Sequence, residues 1–256
     1  LWENEEVGLI GSLLTMLRGD PSIQVRTAAA TGLGRYVLAG ELERLEAPIQ
    51  ARIMTELLTT FHLAAESVEV RRRAVESAAY ACTAEVHDAL DMAYYDDDER
   101  MRVSAVVGMG RNCDQRWANA ILTEMESSLA TMRYEAALAS GELGLRQAVP
   151  TLAQLMEDAD SQVREATIHA LGQIEGPEAR QVLLTAYDDA DEHTRAALDE
   201  ALAEQALAEG ELDLVLYEVG DGLPGGFVED ELLSQFDAGE EEADGHGLDG
   251  WMPESL

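Results

Sequence analysis

Lysine is absent. All 17 basic side chains of this 256-residue chain are arginine, and they stand against 51 acidic ones for a net charge of −34. A chain this acidic repels polyanions, which excludes nucleic acid and anionic membrane surfaces as partners held by bulk electrostatics. High acidity without Lys is also a salt-adapted style of surface, so the charge reports habitat as readily as partner. Aromatic residues make up only 5%. With Ala abundant, that argues against a sheet core and for closely stacked helices, because Ala is the best helix former and lets backbones approach. No apolar run reaches the roughly 18 residues that a membrane-spanning helix needs. The chain begins at Leu1 without a basic n-region, so no signal peptide is expected, and an upstream segment is expected to be missing.

Cysteine is scarce too. Cys82 and Cys113 lie 31 residues apart, a spacing that excludes a local CxxC redox or zinc motif. It places them at equivalent points of adjacent repeats, where helices stacked about 8–10 Å apart are too distant for a disulfide. Two reduced thiols fit a cytoplasmic protein, and each is expected to be a small buried hydrophobe rather than a nucleophile. Also missing are a Ser-His-Asp elbow, a Walker loop and a dinucleotide fingerprint, so no catalytic residue is assigned.

What is present is an internal repeat. Arg recurs at 71, 102, 133, 164 and 195, each step 31 residues, with a lead-in copy at Arg26 that lies 45 residues before the first. A period in this range means stacked helical pairs. Apolar spacing places a helix at 3–18. Asp20 and Pro21 are expected to cap and open a second helix, and a longer outer helix is expected over 41–63 with Pro48 at its start or at a kink. Inner helices are then expected near 68–80, 99–110, 131–143, 161–174 and 192–207. Outer ones are expected near 84–95, 115–126, 146–157 and 177–187. The fold class is all-α: a right-handed α-α superhelix of about six helical pairs over residues 1–208. From 209 to 256, 15 acidic residues occur without a basic one, which predicts an acidic, Gly-containing tail, flexible or loosely docked.

Aligning the inner helices assigns jobs to positions. Counting from the residue before each repeat Arg, the seventh is Gly32, Ser77, Gly108, Ala139, Ala170 and Ala201. The ninth is Gly34, Ala79, Gly110, Gly141, Gly172 and Ala203. All are small, as close packing of neighbouring repeats demands, and with no strand before them the GLG and GMG stretches are not phosphate loops. Asp lies six residues before the Arg at Asp20, Asp96, Asp158 and Asp189. These acids are expected to bond Arg26, Arg71, Arg102, Arg133, Arg164 and Arg195 across adjacent repeats, forming a structural ladder.

The Asp-x5-Arg pattern, the helical pairs, the 31-residue period and the small inner positions resemble HEAT repeats. The resemblance is closest to the short bacterial kind also found in phycobilisome lyase subunits and deoxyhypusine hydroxylase, and it covers about residues 3–208. It implies a solenoid that serves as a scaffold. It does not bring the hydroxylase's di-iron site, since that site uses repeated His-Glu pairs. Here His62, His87, His169, His193 and His246 are followed by Leu63, Asp88, Ala170, Thr194 and Gly247. No metal and no cofactor is therefore expected.

Positions two, six and ten of the same count lie about one turn apart and form one helix stripe. They vary from repeat to repeat. If inner helices line a concave side, the groove runs from an Arg-bearing part with Arg35, Arg72, Arg73 and Arg111, through Tyr80, Val103, Val107, Tyr134 and Leu138, to Glu165, His169 and Gln173. Exposed Val103, Val107, Tyr134 and Leu138 would mark a binding patch; the alternative is that they belong to the core. The expected function is a non-catalytic adaptor that binds a protein or peptide along this face. The alternative is an accessory subunit of a lyase or cofactor-attachment enzyme. A third reading has the acidic tail docking within the molecule on Arg72, Arg73 and Arg111.

Overall fold

A computed structural model describes residues 2–187 and 190–208, with side chains from residue 8 onward. The acidic tail at 209–256, its docking on the groove and Asp189 lie outside the described residues. The helices follow one another as α1 (Trp2–Gly19), α2 (Ile23–Glu41), α3 (Ala47–His62), α4 (Val68–Ala78), α5 (Ala84–Tyr94), α6 (Glu99–Asn112), α7 (Ala118–Glu124), α8 (Ala130–Glu142), α9 (Val149–Leu155), α10 (Ser161–Gln173), α11 (Pro177–Tyr187) and α12 (Glu192–Ala208). Short 3-10 turns at Gln115–Trp117 and Arg146–Ala148 lead into α7 and α9. Among the described residues the architecture is wholly α-helical. The inner helices α2, α4, α6, α8, α10 and α12 stack on one another, and the outer helices α3, α5, α7, α9 and α11 cover one side of that stack.

Helix starts follow side-chain chemistry. Ser22, Ser67, Thr83, Asp98 and Asp160 accept from backbone N–H groups of α2, α4, α5, α6 and α10, satisfying donors that a helix leaves orphaned. The cap of α2 is thus Ser22 rather than Asp20, and Pro21 precedes the helix. α3 begins at Ala47 with Pro48 in its first turn. Residues 42–46 form a separate turn with Glu43 in the left-handed region at φ 56°, so the outer helix does not start at 41.

The residue before the Arg is a core residue in the four central repeats, while Val25 and Thr194 at the ends are half-buried. Val70, Met101, Met132 and Val163 are buried between inner and outer layers with Leu57, Phe61, Leu90, Ile121 and Leu152, and burying each such side chain is worth about 1.5–3 kcal/mol. The small positions explain how the inner layer closes. The ninth residue of one repeat faces the seventh of the next: Gly34 on Ser77, Ala79 on Gly108, Gly110 on Ala139, Gly141 on Ala170 and Gly172 on Ala201. One member of every pair is glycine. A Cβ built at Gly110, Gly141 or Gly172 would stand 2.8–3.0 Å from the facing Cα. This close approach fixes the spacing of the inner helices along the stack.

The Arg ladder has two kinds of rung. Within a repeat, the guanidinium donates to the carbonyl six residues back: Arg26 to Asp20 (2.6 Å), Arg102 to Asp96 (3.0 Å), Arg133 to Ser127 (2.9 Å) and Arg164 to Asp158 (2.7 Å). Between repeats, Arg26 forks onto Glu66 and Arg133 onto Asp158, while Arg71 comes within 3.9 Å of Asp96 and donates to the Phe61 carbonyl. The repeat Asp side chains also accept from the N–H two residues on, at Ser22, Asp98 and Asp160. The expected ladder needs correction at Arg102. The following repeat carries Ser127 instead of an acid, and among the described residues Arg102 donates to the carbonyls of Asp96 and Asp97. Arg195 stands over the Tyr187 ring at 5.9 Å.

Candidate functional site

The face formed by the inner helices carries the variable stripe, and its residues differ sharply in exposure. Arg35, Glu165 and His169 are exposed, whereas Arg72, Arg73, Tyr80, Val107, Arg111, Tyr134, Leu138 and Gln173 are half-buried. Val103 is not available: at 8% exposure it belongs to the core. The preceding inner helix explains this, because Arg72 reaches across and donates to Ser104 (2.8 Å) beside it. Tyr80, Tyr134 and Leu138 rest on the core with one side and face outward with the other.

Arg72 and Arg73 of the stripe are paired with acids of their own helix. Arg72 pairs with Glu69 (3.1 Å), and Arg73 with Glu69 (3.7 Å) and Glu76 (2.6 Å). Arg111 donates to the Glu76 carbonyl (3.0 Å) and lies over the Tyr80 ring at 5.2 Å. Arg35 lies over Tyr36 at 5.0 Å. What remains is acidic and partly desolvated. Burial, with Glu76 as a like-charged neighbour, pushes the Glu135 carboxyl up to about 7. Glu76 is on α4 and Glu135 on α8, so their interaction reaches across the intervening α6. Glu76 is only 2% exposed, yet its Oε1 has no hydrogen-bond partner among the described residues, and neither has the buried Oε1 of Gln173. Further along, Glu165 and His169 of α10 with Glu200 and Glu204 of α12 line a groove of about 200 Å³. A larger cleft of about 720 Å³ opens between α10, α11 and α12, with Arg164 and His193 on its wall.

A second cluster lies away from the stripe, at the turns that join inner to outer helices. Cys82 follows α4, His87 stands in the first turn of α5, and Asp114 precedes the 3-10 turn before α7. His87 Nε2 is 3.7 Å from Cys82 Sγ and 3.5 Å from Asp114 Oδ2, and one ligand atom from each of the three lies within 4.8 Å of the others. Both cysteines are free and exposed, which corrects the expectation of buried thiols: the turns after α4 and α6 carry them outside the packed layers. The expected absence of metal ligands rests on motifs local in sequence, a CxxC pair and His followed directly by an acid. His87 instead meets an acid of the next repeat. A signal was available, since Asp114 adjoins Cys113, the 31-residue counterpart of Cys82.

With the geometry in place, the repeats can be compared with known proteins. Residues 118–203 match the family model for HEAT repeats. That HEAT match runs from α7 into α12 and includes two of the glycine junctions, Gly141 on Ala170 and Gly172 on Ala201. Solved structures similar to the chain include an engineered protein (18% identity, TM-score 0.49, 76% of this chain and 95% of that one). They also include a designed armadillo repeat protein in complex with a (KR)4 peptide (19%, 0.48, 75% and 98%) and human deoxyhypusine hydroxylase (17%, 0.36, 77% and 84%). No curated protein sequence matches the chain. Among the described histidines, His87 alone lies in a cluster with both a thiol and a carboxylate. None of the described helices is long and apolar enough to cross a membrane.

Proposed function

We propose that the chain is a non-catalytic HEAT-type scaffold that binds an extended protein segment along its inner face. The observation that carries this reading is the pair of buried, unpartnered acceptors on the stripe, Glu76 Oε1 and Gln173 Oε1, on either side of the half-exposed Tyr134 and Leu138. An unpaired buried acceptor costs about 1–3 kcal/mol, and a ligand that parts the side chains covering it and brings donors recovers that cost. The segment that fits presents Arg, Lys or backbone N–H groups to Glu76, Glu135 and Gln173 and apolar side chains to Tyr134 and Leu138. Sequence variation along the stripe, set against invariably small neighbours, supports a recognition role for the face. The free thiols support a reducing, cytoplasmic setting. The 31-residue period supports the short bacterial repeat type, and it is the only support for an accessory lyase subunit, since no residue of the stripe points to a bilin or other cofactor.

The test is fluorescence polarisation with a labelled peptide alternating Arg and Leu, against a Glu-Leu counterpart. A Tyr134→Ala, Leu138→Ala double variant leaves the charge unchanged, so nonspecific attraction is constant. The expected result is selective binding of the Arg-Leu peptide and a loss of at least about tenfold in the double variant, as for a central apolar anchor. Equal affinity of wild type and double variant would sink this groove as the binding face.

A further inference from the structure

The geometry points to a mononuclear zinc site formed by Cys82, His87 and Asp114, independent of the inner-face binding proposed above. Three side chains of ligating type converge from two successive repeats. For Zn–S of about 2.3 Å and Zn–N and Zn–O of about 2.0–2.2 Å in a tetrahedron, neighbouring ligand atoms stand roughly 3.4–3.6 Å apart. The observed 3.7 Å from Cys82 Sγ to His87 Nε2 and 3.5 Å from His87 Nε2 to Asp114 Oδ2 match these edges. Closing the remaining edge needs only a small movement of Cys82, which lies in an exposed turn.

The surroundings orient the ligands. Asp114 Oδ1 accepts from the Arg116 N–H at 2.9 Å, which leaves Oδ2 turned to the site. The His87 ring is held edge-on against Trp117 at 5.9 Å. Trp117 is in turn fixed by its Nε1–H donating to the buried Asn112 at 3.1 Å. A thiolate in the set selects against Ca²⁺ and Mg²⁺, and imidazole with one carboxylate suits Zn²⁺. Three protein ligands leave the fourth position to water.

Arg116 is the occupant the metal must displace. Its guanidinium stands 2.7 Å from His87 Nδ1, which makes Nδ1 the acceptor and leaves the ring proton on Nε2, facing Asp114. A metal on Nε2 requires the proton on Nδ1 instead, so Arg116 swings toward Asp91, whose Oδ2 is already 3.7 Å away. The equivalent place one repeat on is incomplete: Cys113 is followed by Ala118 where Cys82 has His87, and by Leu145 where it has Asp114. Cys113 is therefore an internal control. A metal here ties the α4–α5 turn to the turn after α6 and so clips two repeats together at their edge.

Co²⁺ titration of the reduced full chain tests the site, with Zn²⁺ as competitor and circular dichroism to confirm that each variant is folded. Expected is one Co²⁺ per chain with a thiolate-to-cobalt charge-transfer band and the strong visible absorption of tetrahedral cobalt, both abolished by Zn²⁺. Cys82→Ser should lose the charge-transfer band, His87→Ala and Asp114→Asn should each weaken binding at least about tenfold, and Cys113→Ser should leave the spectrum unchanged. Arg116→Ala is expected to bind Co²⁺ at least as tightly as wild type. The proposal is overturned if Co²⁺ binds with only the weak spectrum of surface carboxylates, if the band survives Cys82→Ser or vanishes in Cys113→Ser, or if Arg116→Ala binds more weakly.

Discussion

Gly141→Ala adds one carbon at the junction of α8 and α10. The new Cβ would lie 2.8 Å from the Cα and 3.2 Å from the Cβ of Ala170. Carbon atoms in favourable contact stand about 3.5–4.0 Å apart, so the two helices must separate locally by roughly 0.5–1 Å. The Cα cannot turn aside as a flexible side chain would, and the flanking junctions at Gly110 and Gly172 hold the spacing on either side. Overpacking of this kind costs about 1–3 kcal/mol, while replacing Gly by Ala in a helix returns up to about 1 kcal/mol. The net expectation is a loss of about 1–2 kcal/mol. Gly32→Ala is the matched control: its Cβ would meet only the Leu13 methyls at 3.5 Å, so it should gain about 0.5–1 kcal/mol from helix propensity alone. Urea denaturation followed by far-UV circular dichroism reads the stability. Hydrogen exchange localises it, because a solenoid can open at one interface without unfolding throughout. The reasoning is refuted if Gly141→Ala matches or exceeds wild type with unchanged exchange in α8 and α10, or if Gly32→Ala is equally costly.

Arg133→Ala removes the fork onto Asp158, whose side chain is only 7% exposed, together with the bond to the Ser127 carbonyl. It should cost about 1–3 kcal/mol, whereas Arg100→Ala, at an ion pair whose Arg is 58% exposed, should be indistinguishable from wild type in the same denaturation experiment. Glu135 gives a pH dependence. Its folded-state pKa of about 7 lies above the ordinary 4.5, so its contribution to stability is fully present below about pH 4.5 and is lost as pH rises through 7. Glu135→Gln should therefore raise stability by about 1–2 kcal/mol near pH 8.5, after allowance for solvent screening, and by little near pH 5. A pH-independent effect in paired denaturation curves would refute the assignment.

Particular residues show how far the chain was legible. The positions of Gly34, Gly110, Gly141 and Gly172 are readable because a packing constraint repeated every 31 residues leaves a repeated small side chain. The role of Arg133 and Asp158 is readable for the same reason. Val103 was misjudged because helical phase says which face a residue occupies, not whether a neighbour's Arg72 closes over it. The Arg72 and Arg73 charges are not legible as paired because their partners Glu69 and Glu76 carry no periodic signal. Cys82 escaped because turns, unlike helices, do not impose an inward or outward phase.

By itself, the sequence determined the helical pairs, their period, the small inner positions and the Arg-bearing rungs, all of which are local or strictly repeated properties. Only the tertiary structure decided which small residue faces which, that Glu135 senses Glu76 across a whole repeat, and that Cys82, His87 and Asp114 converge. Those pairings depend on the offset between neighbouring repeats. That geometry comes from close packing of whole helices and leaves no periodic mark on the individual residues it brings together.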